Sequence, residues 1–166
     1  MVISQIIGGL GNQMFQYAAG KALAEFKGVE FKIDISSFEN YKLYGYDLGN
    51  LAVTAPVASP EEINKFVGSR PGKALKFLEE KLDFLMPYGG RKFYFEPFFN
   101  FNRRFFRLPP NVYLEGYFQS ERYFKNIEAI TRKEFTLREE AGESYKALAG
   151  NMSNTNSVSI HFRRGD

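Results

Sequence analysis

Near the start of the chain, the run Val2-Ile3-Ser4-Gln5-Ile6-Ile7 stops at Gly8-Gly9-Leu10-Gly11, and the residues after this break decide the fold class. The apolar-leaning run over 2–7 has the character of a buried first strand, and glycines let the chain turn sharply at its end. Asn12 suits a helix N-cap, because its side chain can accept from the amides one turn on. After it, Phe15, Ala18, Ala19, Ala22, Leu23 and Phe26 recur at three- and four-residue spacing, which predicts a helix over 12–27 with one face on a core. Gly28 stops that helix, and residues 29–34 alternate like a strand. Strand, glycine turn, helix and strand make a βαβ unit, so the chain reads as α/β with a parallel sheet flanked by helices.

Further along the signals are local. Ser59-Pro60-Glu61-Glu62 is a capping box with proline at the first helical position. A second helix is predicted over 72–84, ending before Pro87, and a strand over 112–117. Ser120 is placed to cap a helix beginning Glu121-Arg122-Tyr123-Phe124, and Thr136-Leu137-Arg138-Glu139 has the pattern of a box opening a helix to about Leu148. Residues 150–156 are small, polar and rich in turn formers. Beyond them Val158, Ile160 and Phe162 alternate with polar residues, which predicts a strand over 157–163. A parallel strand normally feeds a crossover helix, and none comes after it. The expected organisation is a first domain over 1–150, a linker over 151–156, and the first strand of a second domain over 157–166, the chain being part of a longer protein.

Composition closes off several classes. With no cysteine there is no disulfide scaffold and no thiolate metal site, and a single histidine, His161, cannot make a histidine-rich metal centre. No apolar run approaches a membrane span, and polar Ser4 and Gln5 interrupt an N-terminus without a basic leader, features that fit a cytoplasmic protein. The net charge of +3 hides one uneven stretch. Arg91, Lys92, Arg103, Arg104 and Arg107 stand against the single acid Glu96, among eight aromatics from Phe93 to Phe106. Interleaved cations and rings can stack single-stranded nucleic acid, rest on an anionic membrane or meet a polyanionic acceptor. They can equally form an aromatic core beneath a long loop with solvated arginines over it.

Two constellations carry chemistry. In Gly8-Gly9-Leu10-Gly11-Asn12-Gln13 the glycines allow a phosphate close to the backbone, and the succeeding helix presents free amides to an anion. Asn12 and Gln13 add side-chain donors. The spacing departs from the dinucleotide fingerprint, since Met14 stands where its third glycine belongs and no ribose-binding acid is evident. In His161-Phe162-Arg163-Arg164-Gly165-Asp166, at the carboxyl end of a predicted strand, His161 and Arg163 share a face and Arg164 stands at the strand's mouth. A guanidinium there can grip a diphosphate bidentately; a solvated edge with Asp166 as counter-ion is the other reading of the same residues.

Together these runs resemble glycosyltransferase family 11, the bacterial-type alpha-1,2-fucosyltransferases. Gly8-Gly9-Leu10-Gly11-Asn12-Gln13-Met14-Phe15-Gln16-Tyr17-Ala18 is similar to the family's N-terminal signature. Leu114-Glu115-Gly116-Tyr117-Phe118-Gln119-Ser120, with Tyr123-Phe124, resembles its mid-chain motif, and the run from His161 to Asp166 matches the first six residues of its His-x-Arg-Arg-x-Asp-Tyr motif. The resemblance implies a GT-B fold, with a Rossmann-like N-terminal domain on the acceptor side and a C-terminal donor-binding domain. It implies an inverting transfer of fucose from GDP-fucose to a galactose-type hydroxyl of a glycan, as in surface polysaccharide synthesis, with no metal or other cofactor. Arg163 and Arg164 would hold the GDP diphosphate with His161 beside them, Gly9, Gly11, Asn12 and Gln13 would close over the same phosphates, and Arg164 and Asp166 would act near the reacting centre. The implied partners are GDP-fucose and a glycan acceptor, lipid-linked acceptors and peripheral inner-membrane contact included, and not nucleic acid. The chain alone is expected to be inactive. The competing expectation is a non-catalytic α/β module that binds phosphate or single-stranded nucleic acid.

Overall fold

A computed structural model describes residues 1–40, 43–68, 72, 87–139, 142–160 and 162. Four strands, β1 (Val2–Gln5), β2 (Phe31–Asp34), β3 (Phe93–Phe95) and β4 (Val112–Glu115), form one sheet in the order β2-β1-β4-β3, with every pair parallel. Val2 faces Phe31 on one side and Val112 on the other, so β1 is central, and Val2, Ile3 and Ser4 are completely buried. The expected α/β fold with a parallel, helix-flanked sheet is what forms, and it is Rossmann-like.

Helix α1 (Leu10–Lys27) covers the sheet face that carries Val2, Ser4 and Ile33, burying Tyr17, Ala18, Ala19, Ala22 and Leu23. Its closest approach is at Gly20. A Cβ there would lie 2.5 Å from the Phe31 ring and 2.9 Å from Cβ of Ser4. The Ser4 hydroxyl donates to the Gln16 carbonyl at 3.0 Å across the same contact. Gly20 thus does the helix-on-strand work that the third glycine does in the dinucleotide fingerprint. The helix ends at Gly28, left-handed at φ +63, where the amides of Gly28 and Val29 close back on Glu25 and Ala24. Helix α2 (Pro60–Val67) covers the other face, where Phe66 and Ala58 pack with Ile3, Phe93 and Tyr113. Its capping box is complete: the Glu62 amide donates to the Ser59 hydroxyl at 3.3 Å, and the Ser59 amide donates to the Glu62 carboxylate at 2.9 Å.

Six of the eight aromatics in the aromatic-basic stretch pack into or against the core. Phe93, Tyr94 and Phe105 are buried, and the Phe105 ring meets those of Tyr94, Phe118 and Tyr123. Arg91 and Arg104 each lay a guanidinium 4.4 Å from the Tyr88 ring centre, the geometry of cations resting on a packed aromatic layer. Only Phe98 and Phe99 stand out, 50% and 70% exposed.

Several local expectations fall to tertiary contacts. Helix α1 starts at Leu10 with Gly9 as its N-cap, not Asn12, because Gly8 at φ +78 turns the chain earlier. Ser120 makes no cap; a tight turn over Glu121–Tyr123 comes next, and a regular helix, α3 (Glu128–Glu134), begins only later. Burying Tyr123 completely bends the chain there. Thr136 opens no helix, since residues 136–138 pair with 50–52 through an antiparallel bridge between Leu51 and Leu137. Helix α4 (Glu143–Ser153) starts at Glu143 instead and runs through the first residues of the expected linker. Residues 157–160 take no strand pairing among the described residues, and Val158, Ile160 and Phe162 are exposed. Alternation supplies two faces, but a strand needs a neighbour for its backbone groups. The helix expected over 72–84 lies, Gly72 apart, outside the described residues.

Adding a methyl at Gly20 forces Phe31 or Ser4 to move, and Gly20→Ala should cost roughly 1–3 kcal/mol of stability. At Gly11 nothing lies within 4 Å of the added atom, so Gly11→Ala should be neutral or slightly stabilising. Urea unfolding of both variants checks this; an equal loss at Gly11 would contradict the packing assigned to Gly20.

Candidate functional site

In open α/β sheets ligands bind outside the carboxyl ends of the strands, where the strand order switches direction. Here that switch lies between β1 and β4. Both N-terminal and mid-chain runs singled out in the sequence arrive at this edge.

After β1 the chain passes through left-handed Gly8, and Gly9 is extended at φ −72, ψ 167. The first helical bond is from the Gln13 amide to the Gly9 carbonyl at 3.1 Å, so the amides of Leu10, Gly11 and Asn12 precede the helical ladder. The first turn holds no acid. A Cβ at Gly9 would meet the Tyr44 ring at 3.5 Å, whereas Gly11 faces open space. Gln13 is completely buried, and its side chain is fully used within the turn. Its amide nitrogen donates to the carbonyls of Gly8 (2.7 Å) and Gly45 (2.8 Å), and its oxygen accepts from the amides of Asp47 (2.9 Å) and Leu48 (3.2 Å). Gln13 therefore shapes the turn from beneath. Gln16 holds the other side, accepting from the Ile7 amide at 2.8 Å; its own buried Nε2 has no partner among the described residues.

The turn after β4 is set by Glu96. One oxygen of its carboxylate accepts from two successive amides, Tyr117 at 2.9 Å and Phe118 at 2.7 Å, while the Tyr123 hydroxyl approaches the other at 3.4 Å. These bonds hold Phe118 at φ 51, a left-handed conformation that a side-chain-bearing residue adopts only under such constraint. Gly116 lies against Glu96, and a Cβ there would fall 2.4 Å from that of Glu96. Burial pushes the Glu96 carboxyl above the ordinary glutamate range, against the opposite pull of the two amides and the tyrosine hydroxyl. From this turn Gln119 donates through Nε2 to Asn12 Oδ1 at 2.8 Å, tying the second turn to the first.

Beside the joined turns, a cavity of about 260 Å³ opens at the carboxyl edge. Gln5, Glu96, Phe98, Phe99, Glu115 and Tyr117 contribute to its wall. Asp34, at the end of β2, has the place of a ribose-binding acid, but it is 2% exposed and engaged by the Tyr113 hydroxyl (2.6 Å) and the Ser36 amide (2.9 Å). Among the described residues no group of three or more acids or histidines is arranged to hold a metal ion, and no helix is long and apolar enough to cross a membrane.

Of the sequence-derived site residues, Gly9, Gly11, Asn12 and Gln13 come together in the first turn, while His161, Arg163, Arg164 and Asp166 lie outside the described residues. Sequence reasoning missed Glu96 and Gln119 as site residues. The signal for Glu96 was its isolation, as the one acid in a basic, aromatic tract.

Because the folded chain holds the Glu96 proton to higher pH than the unfolded chain does, this group's contribution to stability falls as pH rises from the ordinary glutamate range through the raised folded value. Glu96→Gln keeps an oxygen for the two amides and removes the titration. Stability measured by urea between about pH 4 and pH 8 should therefore fall less for the variant over that window. Parallel curves would contradict the assignment.

No family model matches the chain, and no solved structure matches it. It is 32% identical over 168 residues to an alpha-1,2-colitosyltransferase of Escherichia coli, an alignment that takes in the whole of this chain and 55% of that protein. The chain thus spans about half the length of the curated relative, and over that half it is similar to a glycosyltransferase.

Proposed function

We propose that this chain forms the N-terminal, acceptor-side part of a glycosyltransferase that moves a deoxysugar from a nucleotide-sugar donor to a hydroxyl of a glycan. The supporting observation is the junction of two turns at the switch point, through Gln119 and Asn12, beside a cavity. Similarity to a colitosyltransferase supports the same reaction class. In the finer reading the donor is GDP-fucose, the linkage alpha-1,2 to a galactose-type unit, and the acceptor a surface polysaccharide or its lipid-linked precursor.

In this reading the donor diphosphate lies over Gly9, Gly11 and Asn12, where the amides that begin α1 and the positive end of its dipole favour an anion. Arg163 and Arg164 approach from a second α/β domain and grip the same phosphates. The bond between the anomeric carbon and the phosphate oxygen breaks with its electron pair passing to GDP. The acceptor oxygen attacks from the opposite face, inverts the centre and passes its proton to the Asp166 carboxylate, the base in this reading. Charge grows on the leaving diphosphate as the bond breaks, and guanidinium groups stabilise it without a metal ion. A second domain would also cover Val158, Ile160 and Phe162, which stand 85%, 71% and 79% exposed.

The test is kinetic, in a full-length protein that carries this chain. Arg164→Ala should lose roughly 100-fold or more in turnover, and Arg164→Lys somewhat less, because lysine keeps the charge but not the bidentate fork. Arg104, stacked on Tyr88, is the contrast, and Arg104→Ala should change turnover far less. Near-normal turnover for a folded Arg164→Ala protein would remove the arginine pair from the donor site.

A further inference from the structure

The cavity at the carboxyl edge differs in chemistry from the glycine turn beside it. Its wall holds two carboxylates, Glu96 and Glu115, and no Lys or Arg among the described residues. A nucleotide diphosphate would meet like charge there. Its other wall is aromatic. Phe99 and Tyr117 lie nearly parallel, with centroids 6.2 Å apart at 26°, and Phe99 is 70% exposed and Phe98 50%. In a chain that buries Tyr94, Phe105, Phe118 and Tyr123 completely, two adjacent exposed phenylalanines at a cavity mouth leave a large apolar surface unspent. An aromatic face opposite hydrogen-bond acceptors suits a neutral ring with apolar C–H faces and hydroxyls around its rim. A pyranose has that form, with axial hydrogens that can lie on the rings and hydroxyls that can donate to Gln5 Oε1 and the Glu115 carboxylate.

Register supports the same picture. Gln5, Phe95 and Glu115 stand in line across β1, β3 and β4 and so share one sheet face at the carboxyl edge. The Glu96 bonds to the Tyr117 and Phe118 amides then fix how far Tyr117 stands from that line. We infer that this cavity is a binding subsite for one neutral pyranose unit of the acceptor, with Phe99 and Tyr117 as its stacking face and Glu115 as its hydroxyl acceptor. The assignment rests on the transferase reading only in calling the bound sugar an acceptor.

The probe is methyl β-D-galactopyranoside, titrated into the isotopically labelled protein and followed by amide chemical shifts. Binding should move the amides of residues 115–117 and 98–99. Phe99→Ala removes an exposed ring and leaves the core intact, and should weaken binding on the order of tenfold, the loss of one aromatic contact. Phe99→Tyr keeps the ring and should bind as the parent does. GDP should not displace the galactoside. An unchanged affinity in Phe99→Ala, the absence of galactoside binding, or displacement by GDP would each overturn the subsite. The transferase reading fails separately: galactoside binding as described, combined with normal turnover in Arg164→Ala, would leave the subsite standing and remove the donor assignment.

Discussion

The side-chain amide of Gln13 lies fully buried under the turn after β1 and makes four hydrogen bonds, to the carbonyls of Gly8 and Gly45 and from the amides of Asp47 and Leu48. A buried amide left with one of these bonds unmade would cost about 1–3 kcal/mol, so the side chain cannot shift without a partner shifting with it. The turn after β1 inherits its position from this clasp. It holds Gly8 in its left-handed conformation, which starts α1 at Leu10 and leaves the amides of Leu10, Gly11 and Asn12 ahead of the helical ladder. Through the Asn12–Gln119 bond it is also tied to the turn after β4.

Glu96 plays the corresponding part on the other side. A carboxylate in so buried a place is costly unless it is well bonded, and two amides and a tyrosine hydroxyl supply the bonds. The return is a left-handed Phe118 and a glycine, Gly116, that tolerates no side chain. Strain and close approach of this kind gather where geometry serves binding, and the cavity beside them fits that pattern. An anion-favouring turn and an acid-lined, aromatic cavity lie next to each other at the carboxyl edge, and under the proposed function they would sort a charged donor from a neutral acceptor by chemistry.

The sheet and α1 were legible because their signals are periodic and strong. Val2, Ile3 and Ile6 are buried as expected, and Ala18, Ala19, Ala22 and Leu23 face the core. The box at Ser59 was legible because both its bonds are local. The box pattern at Thr136 failed because residues 50–52 claim that backbone for a bridge, a contact between residues more than eighty positions apart. Ser120 failed for a related reason: Tyr123 is drawn into the core by Phe105 and Phe118, and the chain bends before a helix can begin. In the site, the glycine turn could be read from its residue types. Glu96 could not be placed, since its partners Tyr117 and Phe118 lie more than twenty residues away. The role of Gln13 was likewise hidden, because a glutamine after a glycine turn reads as a donor to ligand until its partners at residues 45–48 are seen.

We propose that the turn after β1 and the turn after β4 act as one nucleotide-sugar crevice. Hydrogen–deuterium exchange with and without GDP-fucose tests it most directly. Added protection is expected at the amides of residues 9–12 and, through the Asn12–Gln119 bond, at those of residues 116–119 together. Protection confined to the basic tract over 91–107, with both turns exchanging as in the free protein, would contradict it.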